Sequence, residues 1–196
     1  MSEQINDNTD DEYTFNIKIL LLGEESIGKT SLILQFVDKT FSSDYKTTLG
    51  ADFKSKTLKL ENVFGKGEIT TVNLQIWDVA GRARLSSYKK YYYPGTSGVL
   101  LVFDLTRRDT LTHLISWIED VNEYSPESVK YLIGNKNDLK NERVVLQQEQ
   151  EQFKTILGAS GSTETSAKTG ENVDKVFALM SLLILEKVRG KEGNSG

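Results

Sequence analysis

At 196 residues the chain has room for one domain with a sizeable core and not for two. A net charge of −4 argues against a protein that coats nucleic acid or an anionic membrane. The absence of cysteine excludes disulfides, thiolate metal sites and, for this chain, prenyl or palmitoyl anchors.

Residues 1–12 (MSEQINDNTDDE) are polar and acidic, with almost nothing to bury, and are expected to form a disordered arm. They do not read as a signal peptide, and Val176 to Leu185, the longest strongly apolar stretch, is far short of the roughly 20 residues a membrane span needs. A cytoplasmic protein is expected. Phe15 to Leu22 ends in an apolar run typical of a buried strand. The stretch Gly23 to Thr30 follows, and Lys29 to Val37 has helical spacing. Ala51 to Leu60 and Ile69 to Trp77 alternate apolar with polar residues on either side of Gly65-Lys66-Gly67, the pattern of an antiparallel hairpin. Val99 to Phe103 reads as a buried strand, Leu111 to Tyr124 as an amphipathic helix, and Tyr131 to Gly134 as another short strand. A polar helix around Val145 to Leu157 comes next, and Thr163-Glu164-Thr165 precedes a long helix from Val173 to Val188. Residues 190–196 read as a flexible tail.

Strands interleaved with helices imply parallel crossovers, hence one α/β domain over residues 13–189 with helices on both faces of an open sheet. Such sheets bind ligands beyond the carboxyl ends of their strands. The loop after the first strand carries the strongest signal. Gly23-Glu24-Glu25-Ser26-Ile27-Gly28-Lys29-Thr30 fills every fixed position of G-x-x-x-x-G-K-[ST] and lies between a strand and a helix, as that motif requires. Its glycines let backbone N–H groups converge on phosphate oxygens, and the helix behind points its positive end at the same anion. Lys29 adds a charge for the β- and γ-phosphates, and the Thr30 hydroxyl is placed to ligate Mg²⁺. A chance match has a likelihood on the order of one per cent in a chain this long.

Asn135-Lys136-Asn137-Asp138 follows the short strand ending at Gly134. A carboxylate there can accept from both the ring N–H and the exocyclic amine of guanine, neighbouring donors that adenine lacks. By itself N-x-x-D also describes a polar turn that closes a strand. Trp77-Asp78-Val79-Ala80-Gly81, Thr48-Leu49-Gly50 and Glu164-Thr165-Ser166-Ala167-Lys168 remove that ambiguity. Together with the phosphate loop they resemble, in order and spacing, the Ras superfamily of small GTPases, from Phe15 to Val188. Asp44-Tyr45, Thr48 to Phe53 and Leu74 to Asp78 are most similar to its Rab branch.

The resemblance implies a P-loop NTPase fold, a small G domain with a mostly parallel six-stranded sheet. It implies binding of GTP or GDP with Mg²⁺ and hydrolysis of GTP. The nucleotide would be held by Glu25, Ser26, Ile27, Gly28, Lys29, Thr30 and Ser31, with Phe41 against guanine and Tyr45 closing over the phosphates. Thr30, Thr48 and Asp78 would hold the metal, and the Gly81 N–H would read the γ-phosphate. Asn135, Lys136, Asp138 and Leu139 would form the base pocket, backed by Ser166, Ala167 and Lys168. Phe53, Trp77 and Tyr92 match the triad with which Rab-like proteins meet effectors, although apolar strand residues usually belong to a core. Exchange factors and GTPase-activating proteins would act through the switch segments of a monomer. The lone His113, remote in sequence from every motif, is expected on the surface.

Four departures from the family stand out. Arg82 occupies the place of the glutamine that orients the attacking water; a guanidinium has five donors and no acceptor, so it cannot hold water in that way. Glu25 replaces a small residue beside the γ-phosphate, where a carboxylate either turns away or meets like charge; it and Arg82 could pair across that site. The hairpin turn from Asn62 to Thr71 is long and is expected to be decorative. No cysteine stands near the end, so either a tail is missing or the protein reaches membranes only through partners. Lys29, Thr48 and Gly81 would carry catalysis, with Arg82 at the glutamine position. Slow turnover in a trafficking or signalling switch is expected; the alternative is a GTP-loaded scaffold that recruits partners without catalysis.

Overall fold

A computed structural model of the chain describes residues 12–42, 48, 50–65, 67–81 and 89–192. Among these, β1 (Glu12–Leu22), β2 (Ala51–Glu61), β3 (Ile69–Val79), β4 (Gly98–Asp104), β5 (Val129–Asn135) and β6 (Ser162–Glu164) form one sheet in the order β2-β3-β1-β4-β5-β6. Only β2 runs antiparallel to its neighbour. Helices α1 (Lys29–Val37), α2 (Lys89–Tyr92), α3 (Arg108–Thr112), α4 (Leu114–Tyr124), α5 (Gln147–Ile156) and α6 (Val173–Glu192) lie between or after the strands. The mostly parallel, six-stranded α/β arrangement implied by the sequence is the one observed.

The apolar runs of the central strands are explained by what covers them. Successive side chains of a strand point to opposite faces. Ile17, Ile19 and Leu21 of β1 join Leu100, Val102 and Ile133 in a core against Ile33 and Phe36 of α1 and Phe177 and Met180 of α6. Leu20 and Leu22 join Val99, Leu101, Phe103 and Leu132 in a second core against Trp117 and Val121 of α4 and Leu157 after α5. Phe36 and Phe177 stack with ring centroids 4.0 Å apart. On the β2–β3 edge Leu58 and Leu60 pack on the first core, while Phe53 stays 55% exposed.

The elements depart from the sequence reading in four places. β1 begins at Glu12, because its first residues pair with the start of β3 from Glu12↔Ile69 to Phe15↔Val72. The turn between β2 and β3 is packed and not merely decorative: Phe64 lies 5.1 Å from Tyr13 and 5.4 Å from Phe15, ring to ring. Asn62 shapes it by accepting the Gly67 N–H at 2.8 Å. The expected helix from Leu111 is two helices, α3 and α4, joined at His113, where the Thr112 and Ser116 hydroxyls bond back to the Asp109 and His113 carbonyls. The last helix continues to Glu192.

Candidate functional site

β1 delivers the chain into the phosphate loop at the carboxyl edge of the sheet. Gly28 lies at φ 94°, immediately before α1, and a Cβ there would fall 2.5 Å from Asn135 Nδ2. Glycine is therefore required by conformation and by space. Among the described residues no side chain caps α1, and its first residues, Lys29 to Ser31, line the cleft. Lys29 is nearly buried, and its ammonium bridges the carbonyls of Gly23 and Glu24, each at 2.8 Å. Burial pulls it down to about 8, against the opposing pull of Asp78, Glu24 and Glu25.

The β1–β3 pairing places Asp78 beside Leu21, at the loop's origin. Its Oδ2 accepts hydrogen bonds from the hydroxyls of Thr30 and of Thr48, the latter at 3.1 Å, and the two hydroxyls lie 2.9 Å apart. Asp78 Oδ1 is buried and, among the described residues, has no hydrogen-bond partner. Two hydroxyls and a carboxylate with a spare oxygen are hard donors of the kind Mg²⁺ takes.

The other end of the cleft is built from the carboxyl ends of β5 and β6. Asn135 Nδ2 donates to the Ile27 carbonyl at 2.8 Å, tying this end to the phosphate loop. Its Oδ1 accepts from the Ala167 N–H and the Thr165 hydroxyl, both at 3.2 Å. The Ser166 hydroxyl donates to Asp138 Oδ1 at 2.6 Å and so orients that carboxylate. Lys136, at φ 70°, is paired with Asp104 Oδ2 at 2.7 Å.

The two ends meet in a single cleft of about 710 Å³. Its walls include the expected Glu25, Ser26, Gly28, Lys29, Thr30, Ser31, Phe41, Thr48, Gly81, Asn135, Lys136, Asp138, Leu139, Ala167 and Lys168. Ile27 and Ser166 are fully buried behind that wall and act on it through the bonds just described. Tyr45 and Arg82 lie outside the described residues. Phe53 stacks on Trp77 at 5.3 Å, and Trp77 lies 6.2 Å from Tyr92, so the three aromatics form one surface cluster.

Sequence reasoning missed Asp104, which is fully buried at the end of β4 and accepts from Thr106 N–H and hydroxyl, Arg107 Nε and Lys136. Burial would raise its pKa, but the bonds from Lys136 and Thr106 hold it below the ordinary carboxylate range. A carboxylate closing an all-apolar strand at the ligand-binding edge was the available signal. Arg107 also donates to the Glu25 carbonyl at 3.0 Å. His113 is exposed, as expected, yet its Nδ1 lies 3.5 Å from Glu24 of the phosphate loop.

Fold and cleft together define a P-loop nucleotide-binding domain. The Ras family model matches residues 18–186. Over 186 residues the chain is 38% identical to the Ras-related protein Rab-1 of Theileria annulata, covering 94% of this chain and 81% of the relative. Rab-1 of Theileria parva gives the same figures. The GTP-binding protein ypt1 of Schizosaccharomyces pombe is 38% identical over 178 residues, 90% of this chain and 84% of the relative. The chain therefore belongs to the Ras family, as a Rab-like small GTPase.

Proposed function

We propose that the protein is a Mg²⁺-dependent guanine-nucleotide switch with slow intrinsic hydrolysis, serving membrane traffic or signalling from the cytoplasm. The observation that carries this reading is the meeting of Thr30, Thr48 and Asp78 at one end of the cleft that holds Asp138 at the other. Guanine would sit on Asp138 and Lys136, with Phe41 against the ring and Asn135, Leu139, Ser166, Ala167 and Lys168 shaping its pocket. Glu25 to Ser31 would surround the phosphates, Tyr45 would cover them, and Lys29 would bind the β- and γ-oxygens. Mg²⁺, held by Thr30, Thr48 and Asp78, would supply neutralising charge for those oxygens.

In-line attack of water on the γ-phosphate then depends mainly on positioning, with the Gly81 N–H at the phosphate. Arg82 can neutralise developing charge but cannot accept a hydrogen bond from the water, which supports a low rate. Loss of the γ-phosphate would release the segments around Thr48 and Gly81, so that exchange factors, activating proteins and effectors read the state there and at Phe53, Trp77 and Tyr92. The protein would act as a monomer. Among the described residues no helix is long and apolar enough to cross a membrane.

Equilibrium binding of GDP, GTP and ATP, with Mg²⁺ and with a chelator, tests the proposal. Guanine nucleotides should bind tightly only with Mg²⁺, and ATP should not compete. ATP binding equal to GTP would sink it. Chromatography of the copurifying nucleotide should return GDP, whereas retained GTP would favour the scaffold.

A further inference from the structure

Three successive carbonyls of the phosphate loop are each claimed by a cation. Lys29 Nζ takes those of Gly23 and Glu24, and Arg107 Nη2 donates to that of Glu25 at 3.0 Å. Lys29 belongs to the loop's own motif, whereas Arg107 comes from the turn after β4 and belongs to none. Its reach is fixed at both ends. The Arg107 N–H donates to the Asp104 carbonyl at 2.9 Å, and its carbonyl accepts from the Thr110 hydroxyl at 2.6 Å. Its Nε is anchored on the buried Asp104 carboxylate at 3.2 Å, so one planar guanidinium spans the end of β4 and the phosphate loop. The peptide it grips leads into Ser26, which lines the cleft and stands at φ 63°, a left-handed conformation uncommon for a residue with a side chain.

We propose that Arg107 is a positioning residue for the bound nucleotide: by holding the Glu25 carbonyl it aims the Ser26 N–H into the cleft as a phosphate donor. The inference rests on the guanine-nucleotide reading above and adds what fixes the polarity of the loop. Among the described residues no peptide bond is cis. A trans peptide is planar, with its C=O and N–H pointing in opposite directions, so a carbonyl drawn out to Arg107 turns the Ser26 N–H the other way. The positive charge also polarises the peptide, and chained hydrogen bonds strengthen one another, so the N–H becomes a better donor to an anion. Without the grip this peptide would be free to rotate and to present its carbonyl, an acceptor, to the negative phosphates. Arg107 touches no substrate in this role. It acts through one peptide plane, and it slows the escape of the nucleotide.

The test uses the full chain loaded with GDP and Mg²⁺. Release of a fluorescent GDP is followed by stopped flow, and the Ser26 amide and the bound phosphates are followed by proton and phosphorus magnetic resonance. Arg107→Met keeps the apolar stem and removes the charge. On a side chain 40% exposed, water replaces part of a lost charge-assisted hydrogen bond, so release should accelerate about tenfold. The Ser26 amide proton should move upfield and a phosphate resonance of bound GDP should move with it, a pairing that a general loosening of the fold would not single out. Arg107→Gln, shorter and without the fork, is the second variant and should behave alike. Arg108→Met is the control: Arg108 bonds the Val144 carbonyl and Glu149, and its loss should leave release and the Ser26 signal where they were. Circular dichroism verifies folding, and either Arg107 variant alone suffices. Release at the natural rate, faster release with an unmoved Ser26 amide, or equal acceleration in Arg108→Met overturns the role of Arg107 and leaves the guanine-nucleotide reading intact. A natural chain that binds no GDP overturns both.

Discussion

Replacing Asp104 by alanine should loosen both ends of the cleft at once. Asp104 accepts from Lys136 at 2.7 Å, Arg107 at 3.2 Å and Thr106 at 2.7 and 2.9 Å. A charge-assisted hydrogen bond contributes roughly 1.5–3 kcal/mol. The Lys136 and Arg107 side chains are 32% and 40% exposed, so water recovers part of each loss. The net cost should be about 3 kcal/mol. For a domain of this size each kcal/mol moves Tm by roughly 2–4 °C, which predicts a fall of about 6–12 °C. Asp104→Asn keeps an acceptor for Thr106 but loses the charge, and should fall about half as far. Because the folded carboxylate titrates below its ordinary 3.8, its contribution is present above that pH and is lost as pH falls through the lower, folded value. The difference between the natural chain and Asp104→Asn should therefore shrink in strong acid. GDP release should accelerate about tenfold, since Lys136 loses the anchor that orients it. Thermal melts by circular dichroism and stopped-flow release of a fluorescent GDP measure both effects. A variant that melted within about 1 °C of the natural chain and released GDP at the same rate would refute the argument.

Four further outcomes follow from the geometry. Phe36→Ala removes a ring stacked 4.0 Å from Phe177 in the core and should cost about 3–5 kcal/mol in denaturant melts, with no change in base preference. Asp138→Asn exchanges one acceptor for a donor and should weaken GDP binding about a thousandfold or more, leaving the fold intact by circular dichroism. Thr30→Ala should make GDP affinity nearly indifferent to a chelator, because one metal ligand is gone; an unchanged Mg²⁺ dependence would count against the proposed metal site. Single-turnover hydrolysis in Glu25→Gly, Arg82→Gln and the double variant tests whether these residues pair across the γ-phosphate site. Additive effects would sink the pairing.

What the sequence determined by itself is what is local. The phosphate loop is one contiguous segment whose spacing and flanking strand and helix are dictated by backbone geometry, so its place and its chemistry could be read directly. The apolar runs Leu20 to Leu22 and Val99 to Phe103 announced strands covered on both faces for the same reason, and both faces are covered. The acceptor chemistry proposed for Asp138 was legible in its own carboxylate. The ends of elements were less legible, because pairing and packing partners decide them: β1 starts early where β3 meets it, and the turn near Phe64 is folded onto Tyr13 and Phe15.

Only the tertiary structure decided which distant groups meet. Thr30, Thr48 and Asp78 come from three segments, and their convergence follows from the register that sets Asp78 beside Leu21. Asp104 and Arg107 belong to no motif, and Arg107 reaches a carbonyl 82 residues away. No local pattern encodes such a contact, because it depends on where β1 and β4 lie side by side in the sheet. Glu25 shows the division most plainly. Its charge was evident from the sequence, but its direction, across Gly81, exists only because the end of β3 is folded against the phosphate loop.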